Sequence, residues 1–288
     1  MLIDILQLTL YGVVVGSIIA LGAIGVSLTF GILGFANFSH GDLMTFGAYV
    51  AFTVYTRLAF PFWIAAPVAL IATVLLAIAI DRVFYRRLRA SPPVILLISS
   101  FGIALILRSA VQLIWGPSNQ VYESGIHLSK HFLGLRLKTE QMEILAGTAL
   151  LIVVLHLFLS KTRMGKAMRA MADNVELARL TGIDTERVVI WTWVLGASLA
   201  AVAGLFLGLD TRLHPVMGWT ILLPVFAATI LGGIGKPYGA ILGGLIVGIA
   251  QEVSTLVIEP NYKPAVAFAI MVIMLIVRPT GLLGGRST

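Results

Sequence analysis

This sequence predicts an all-α integral membrane protein: one polytopic bundle of about 8–9 transmembrane segments, some of them broken or re-entrant. Three observations predict it. Hydrophobic residues are 59% of the chain and charged residues 11%, with a mean hydropathy of +1.00. A soluble domain carries roughly 25% charge, so polar groups are too few to cover a globular surface. Several apolar runs exceed the roughly 18 residues that mark a spanning helix. Those runs are uniformly apolar, without the alternation of a barrel strand, and only helices and closed barrels satisfy their backbone in lipid. Soluble enzymes, secreted disulfide scaffolds and disordered tails are excluded. Cysteine is absent, which removes a disulfide framework, a thiolate metal site and an iron–sulfur cluster.

The apolar segments fall at about 8–31, 43–57, 61–81, 94–115, 142–160, 188–209, 220–234, 239–257 and 263–277. They form a single transmembrane domain, 1–288, with an outer loop at about 116–141 and an inner loop at about 161–187. The first run follows Met1-Leu2-Ile3-Asp4, which puts an acid where a signal peptide carries its basic region. It is therefore expected as a mature helix. Its Gly12, Gly16 and Ala20 recur at every fourth position, a stripe that permits close helix approach. The turn Asn37-Phe-Ser39-His40-Gly-Asp42 leads into the short second segment. Polar groups at membrane depth are costly and default to functional hypotheses. Asn37, Ser39, His40 and Asp42 are thus candidates to line a substrate pathway, or to hydrogen-bond the open end of a broken helix. His40 has no second histidine or thiol at ligand spacing, so no metal is expected.

In the fourth segment Ser100, Ala104, Arg108 and Gln112 share one helix face at i, i+4 steps, and that face should point into the bundle. Gly204 and Gly208 mark a packing stripe in the sixth. The seventh segment is short and glycine-rich like the second, so eight full crossings are an alternative count. In the eighth, Ala240, Gly244, Gly248 and Glu252 form another stripe. Arg108 and Glu252 both fall within roughly 10 Å of the outer boundary at ~1.5 Å per residue. A pair between them, or a polar vestibule that both face, is expected; the alternative is that each snorkels to the headgroups. The two glycine-rich turns, near residues 34–41 and 232–244, suggest a parallel internal repeat.

The outer loop mixes Glu123, His127, Lys130, His131, Arg136 and Lys138 with Ile126, Leu128, Phe132 and Leu135. This suits an interfacial amphipathic segment, a solvated connector or a docking surface for an external partner. The inner loop is the only long polar run on its side. Asp173 followed by Glu176 reads as a capping box, and Gly182 as the left-handed residue that ends a helix. A short helix at about 174–181 is expected, with Asp184 capping the next one.

Lysine and arginine fix the orientation. With 161–187 inside, the inner stretches hold thirteen: Arg82, Arg86, Arg87, Arg89, Lys161, Arg163, Lys166, Arg169, Arg179, Arg187, Lys236, Arg278 and Arg286. The outer stretches hold six: Arg57, Lys130, Arg136, Lys138, Arg212 and Lys263. Positive charge gathers inside, so the N-terminus is expected outside and the C-terminus in the cytoplasm. The net charge of +7 is then a topology signal, and no nucleic-acid partner is implied.

Four patches carry a family resemblance. Glu176-Leu-Ala178-x-x-x-Gly182 resembles the Glu-Ala-Ala-x-x-x-Gly motif of bacterial ATP-binding-cassette (ABC) importer permeases, with Leu177 in place of the first alanine. The other three are Phe30-Gly-Ile-Leu-Gly-Phe-Ala-Asn37-Phe-Ser39-His40-Gly41-Asp42, Leu231-Gly-Gly-Ile-Gly-Lys-Pro-Tyr-Gly239, and Val277-Arg278-Pro279-Thr-Gly281. Together they resemble the permease family of branched-chain amino acid ABC importers, in the shorter of its two related permease types. The resemblance implies a non-hydrolytic permease subunit in the plasma (inner) membrane that moves branched-chain or related hydrophobic amino acids. It implies as partners a second permease subunit, two cytosolic ATP-binding subunits, an extracytoplasmic amino-acid-binding protein and membrane lipid, with no cofactor. It also makes the inner helix an ATPase-coupling helix, with Asp173, Glu176, Ala178, Arg179 and Gly182 as its candidate residues. Permeases for urea, short amides or other amino acids share these patches and stand as the alternative.

Gly232-Gly-Ile-Gly235-Lys236 is not a phosphate-binding loop. Ile230 stands where its first glycine belongs, and Pro237 follows the lysine. ATP must then be hydrolysed by another polypeptide. An ion-coupled secondary transporter would instead need a carboxylate relay, for which Asp42, Asp210 and Glu252 are the candidates.

Overall fold

The structure is a computed structural model, and it describes residues 2–122, 130–132 and 135–284. Glu123, Ile126, His127 and Leu128 of the outer loop, and Arg286, lie outside the described residues.

Helix α1 spans Leu2–Leu33 and α2 spans Ser39–Phe52, extended by a π-helical turn at Thr53–Arg57. Helix α3, Phe62–Ile80, continues through a second π-helical turn at Asp81–Tyr85 as far as Leu88. Helix α4 is Pro93–Trp115. An antiparallel hairpin of β1, Lys130–Phe132, and β2, Leu135–Leu137, pairs Lys130 with Leu137. Helix α5 is Thr139–Lys161, and α6, Arg163–Asp173, leads into α7, Val175–Leu180. Helices α8, Thr185–Asp210, α9, Met217–Gly232, α10, Pro237–Ser254, and α11, Lys263–Val277, complete the bundle.

Each of the nine apolar segments is helical, but they differ in reach. Among the described residues six helices are long and apolar enough to cross a membrane, built on α1, α3, α4, α5, α8 and α11. The 14 residues of α2 and the five of its π-helical turn together reach about 28 Å at ~1.5 Å per residue, with the first turn starting inside the bundle. With 16 residues, α9 reaches only about 24 Å, short of a hydrocarbon core of about 30 Å.

The core forms around α1 and α8. The apolar window of α1 is 83% buried and that of α8 67%, against 11% for α11. A helix that is apolar all round belongs in the centre of its bundle, and α1 sits there. Lipid tails give apolar side chains no net drive to leave them, so close backbone contact must hold the helices together. The two stripes on α1 and α10 supply it: Gly12 abuts the backbone of Ile249, Gly16 that of Leu245, and Gly244 that of Ala20. Gly204 of α8 abuts the backbone of Met44 on α2 in the same way.

The short helices meet at their N-terminal turns, where the backbones of Gly41 on α2 and Gly218 on α9 touch. Thr45 Oγ1 accepts the amide of Gly218 at 3.0 Å, satisfying one orphan donor of α9. The amide of Phe38, just before α2, donates to Ser100 Oγ at 3.1 Å. Ser100 lies about 10 Å along α4 from its N-terminal end, so α2 starts well inside the bundle. The chain reaches α2 from the end of the bundle that holds α6 and α7. It reaches α9 from the opposite end through residues 211–216, tied down by backbone bonds between Leu213 and Gln120 of 2.8 and 2.9 Å.

Candidate functional site

Two groups of residues stand out, one inside the bundle at the start of α2 and one at the end of the bundle that carries α6 and α7. Inside the bundle, Asn37 organises the entry to α2. Its Oδ1 accepts from the amide of Ser39 at 3.1 Å, from Ser39 Oγ at 2.7 Å and from the Tyr85 hydroxyl at 3.1 Å. An acceptor at this place satisfies donors that a helix start leaves open. Asn37, Ser39 and His40 are closed off from the surface, and His40 occupies the space beside Gly25 that a side chain there would fill. Tyr85 stacks flat on Trp193 of α8, with centroids 5.4 Å apart and planes within 1°. The π-helical turn serves this contact. Its wider winding keeps the row Thr73, Ala77, Asp81, Tyr85 facing the bundle, where all four are buried.

Asp42, in the first turn of α2, holds Arg108 of α4. Arg108 Nε donates to Asp42 Oδ1 and Nη2 to Oδ2, each at 3.1 Å. The guanidinium carbon lies 4.7 Å from the centroid of the Trp219 ring. A carboxylate at a helix N-terminus is stabilised by the helix dipole, so Asp42 suits this place. The expected Arg108–Glu252 pair does not exist. Glu252 instead binds Lys263 Nζ at 2.6 Å and ties α10 to the start of α11. Arg108 does not snorkel either, because a charged partner lies within reach of its side chain on the bundle side. The face of Ser100 and Ala104 is buried as expected, but at Gln112 it turns outward and is exposed.

At the end of the bundle, α6 is capped by Thr162, whose Oγ1 accepts from the amide of Gly165 at 2.9 Å. Helix α7 follows, within one residue of its expected bounds at each end. Its cap differs from expectation. Asn174, and not Asp173, receives the Leu177 amide, at 2.8 Å. Asparagine and aspartate cap equally well, and the residue next to the first helical turn wins. Gly182 has φ +84°, with Ile183 donating back to the Ala178 carbonyl at 3.1 Å, the helix-ending bond expected of it. Asp184 caps α8 through the amide of Arg187 at 3.1 Å. Ala178 faces the bundle, while Asp173, Glu176, Arg179 and Gly182 face out.

Two features escaped sequence reasoning. Leu177 is 59% exposed and Leu180 84% exposed, so α7 offers apolar side chains to the outside; their three-residue spacing in a polar run was the available signal. The second is a charged clasp. Arg89 Nη2 binds Asp81 Oδ2 at 2.6 Å, and Nη1 binds Glu186 Oε1 at 2.8 Å. Glu186 stands in the first turn of α8, just after α7. Beside the clasp lies a cavity of about 250 Å³ lined by Phe35, Tyr85, Val175 and Arg179 among others. Bonds therefore run from Glu186 at the start of α8 through Arg89 to Asp81, and one turn further along the same helix Tyr85 bonds Asn37 at the start of α2. No sequence spacing signals a bond between residues 97 positions apart.

A cavity of about 830 Å³ opens at the other end of the bundle, lined by Tyr55, Tyr122, Lys138, Glu143, Asp210 and Arg212 among others. Asp210 Oδ1 accepts from Gln141 at 3.3 Å. Asp42, Asp210 and Glu252 each hydrogen-bond a different partner, and Asp210 also feels the charges of Glu252 and Lys263.

The chain has clear relatives. Residues 8–275 match the family described as the branched-chain amino acid transport system permease component. The high-affinity branched-chain amino acid transport system permease protein LivH of Escherichia coli (strain K12) is 37% identical over 97% of this chain and 95% of that protein. LivM of the same organism, also a permease protein of a high-affinity branched-chain amino acid transport system, is 24% identical over 98% of this chain and 69% of its own length. Among solved structures, that of PsaBC from Streptococcus pneumoniae in complex with Fab superposes with a TM-score of 0.55 at 14% identity. It covers 96% of this chain and 92% of its own; at that identity the likeness speaks for the fold.

Proposed function

This chain belongs to the branched-chain amino acid transport permease family, and from that footing we propose that it is the membrane-spanning permease subunit of an ATP-driven importer of branched-chain or related hydrophobic amino acids. It is a multi-pass membrane protein, and we infer that its outer-facing N-terminus and cytoplasmic C-terminus follow the thirteen-to-six bias of basic residues. A second permease would pair with it; one organism carrying two relatives, LivH and LivM, supports this. Cytosolic ATP-binding subunits would supply energy and an external binding protein the cargo.

The exposed α7 carries this reading. Leu177 and Leu180 stand on a short helix whose ends are capped on both sides. Exposed apolar residues on a capped cytoplasmic helix suit a cleft in a partner protein. Closure of the ATP-binding subunits would move α7. Glu186 and Arg89 would carry that movement to Asp81 and Tyr85, and Tyr85 to the start of α2.

Leu180→Asp tests the docking directly, since the side chain supports nothing inside the protein. Transport in the reconstituted complex should fall by at least about tenfold while the melting temperature of the permease stays unchanged. Glu176→Ala and Gly182→Ala should uncouple ATPase activity from transport, with ligand capture outside normal. At Gly182 a side chain pays about 1–2 kcal/mol for the left-handed backbone. Full transport by Leu180→Asp in an intact complex would remove α7 as the coupling element.

A further inference from the structure

We infer that Arg108 and the aromatic side chains beside it form a passing site for the cargo, with the guanidinium taking the carboxylate of a hydrophobic amino acid. This inference rests on the permease reading above and names the contact that the cargo makes inside the membrane.

The geometry has two parts. The first is an incompletely used guanidinium. Asp42 takes Nε and Nη2, each at 3.1 Å. Among the described residues Nη1 has no partner. The Arg108 side chain keeps 15% of its surface open, whereas Asp42 keeps 1%. Asp42 therefore fixes the guanidinium from the closed side, and the ring of Trp219 supports it at 4.7 Å. The free edge faces the open surface, where a carboxylate is the anion that fits two N–H donors. The second part is a cluster of four aromatic rings. Phe38 lies 5.2 Å from Phe226 and 6.3 Å from Phe101, and Phe101 lies 5.7 Å from Trp219, all between ring centroids. Phe101 is 41% and Trp219 37% exposed.

A branched aliphatic amino acid needs both parts, an anion receptor and an apolar wall one side chain away. The pair of Asp42 and Arg108 is neutral overall. An incoming zwitterion meets a directed donor and no net charge to trap it, which suits a site that must release.

The test uses the complete reconstituted complex with its ATP-binding subunits and binding protein, and reads ATPase stimulation separately from leucine moved per ATP. Asp42→Asn with Arg108→Gln keeps a hydrogen-bonding pair without buried charge, so folding is preserved. It should lose leucine transport by more than about tenfold and abolish the saturation-transfer NMR signal of leucine on the complex without its binding protein, a signal that Gly182→Ala keeps. The exchange Asp42→Arg with Arg108→Asp restores an ion pair but moves the donor to the closed side. It should not restore transport. Recovery in the exchanged protein, or normal leucine per ATP in the neutral one, overturns the proposal, because Arg108 then acts only through Asp42. Loss of permease pairing in the neutral variant also overturns it and assigns Arg108 to the subunit interface. If the unaltered complex moves no leucine at all, the permease reading fails instead.

Discussion

Asp42→Asn should destabilise the protein by about 3–5 kcal/mol and lower its melting temperature sharply in detergent. Asp42 is 0% exposed and provides the charge partner of Arg108. Breaking such a pair from one side leaves a guanidinium at membrane depth with no counter-charge, and the desolvation penalty of that charge is then uncompensated. The side chain cannot escape to the headgroups without leaving its place on Trp219. Adding Arg108→Gln should recover most of the lost stability, since removing both charges removes the penalty with them. The check is thermal unfolding of the two variants side by side. A single variant as stable as the parent would mean that Arg108 finds another partner, and a double variant no better than the single would mean that the charge was not the cause.

Gly218→Ala is the second large effect. Its added methyl group would overlap the backbone carbonyl of Gly41, which cannot yield as a side chain can, and would also crowd Thr45 Oγ1. Overpacking a tight site costs about 1–3 kcal/mol and sometimes more; two backbones in direct contact belong at the upper end, about 3 kcal/mol. The displacement also falls where α2 and α9 begin, so the Gly218 amide would pull away from Thr45 Oγ1 and become an unmet donor. Gly41→Ala should do the same from the facing side. Gly102→Ala is the control: nothing lies within 4 Å of the added carbon, and alanine favours a helix over glycine by about 1 kcal/mol. Unfolding midpoints of the three variants decide the matter. Equal stability of Gly218→Ala and Gly102→Ala would show that the two helix starts can part without cost.

Much of the site was legible residue by residue. Gly182 announced its left-handed backbone, and Asp184 its cap, because both act on neighbours in the chain. The Asn37-to-Asp42 turn declared itself by polar groups in an apolar stretch, a mismatch that composition alone exposes. Asp173 misled because asparagine at the next position caps as well as aspartate, and pattern does not rank the two. Depth alone leaves Arg108 and Glu252 open to a mutual pair, a shared vestibule or the headgroups. Depth compares distances along two helices and is blind to which faces turn toward each other.

The amino-acid order was sufficient for the membrane class, the nine apolar segments, the short second and seventh helices and the small-residue stripes. These follow from solvation and from contacts a few residues long. The partners of Arg108, Glu252 and Arg89, the meeting of Gly41 with Gly218, and the line from the start of α8 to the start of α2 emerged only when the helices packed. Each depends on how separate helices are rotated and shifted against one another. That choice belongs to the whole bundle, because in lipid it is settled by backbone fit and by the search of every buried charge for a counterpart.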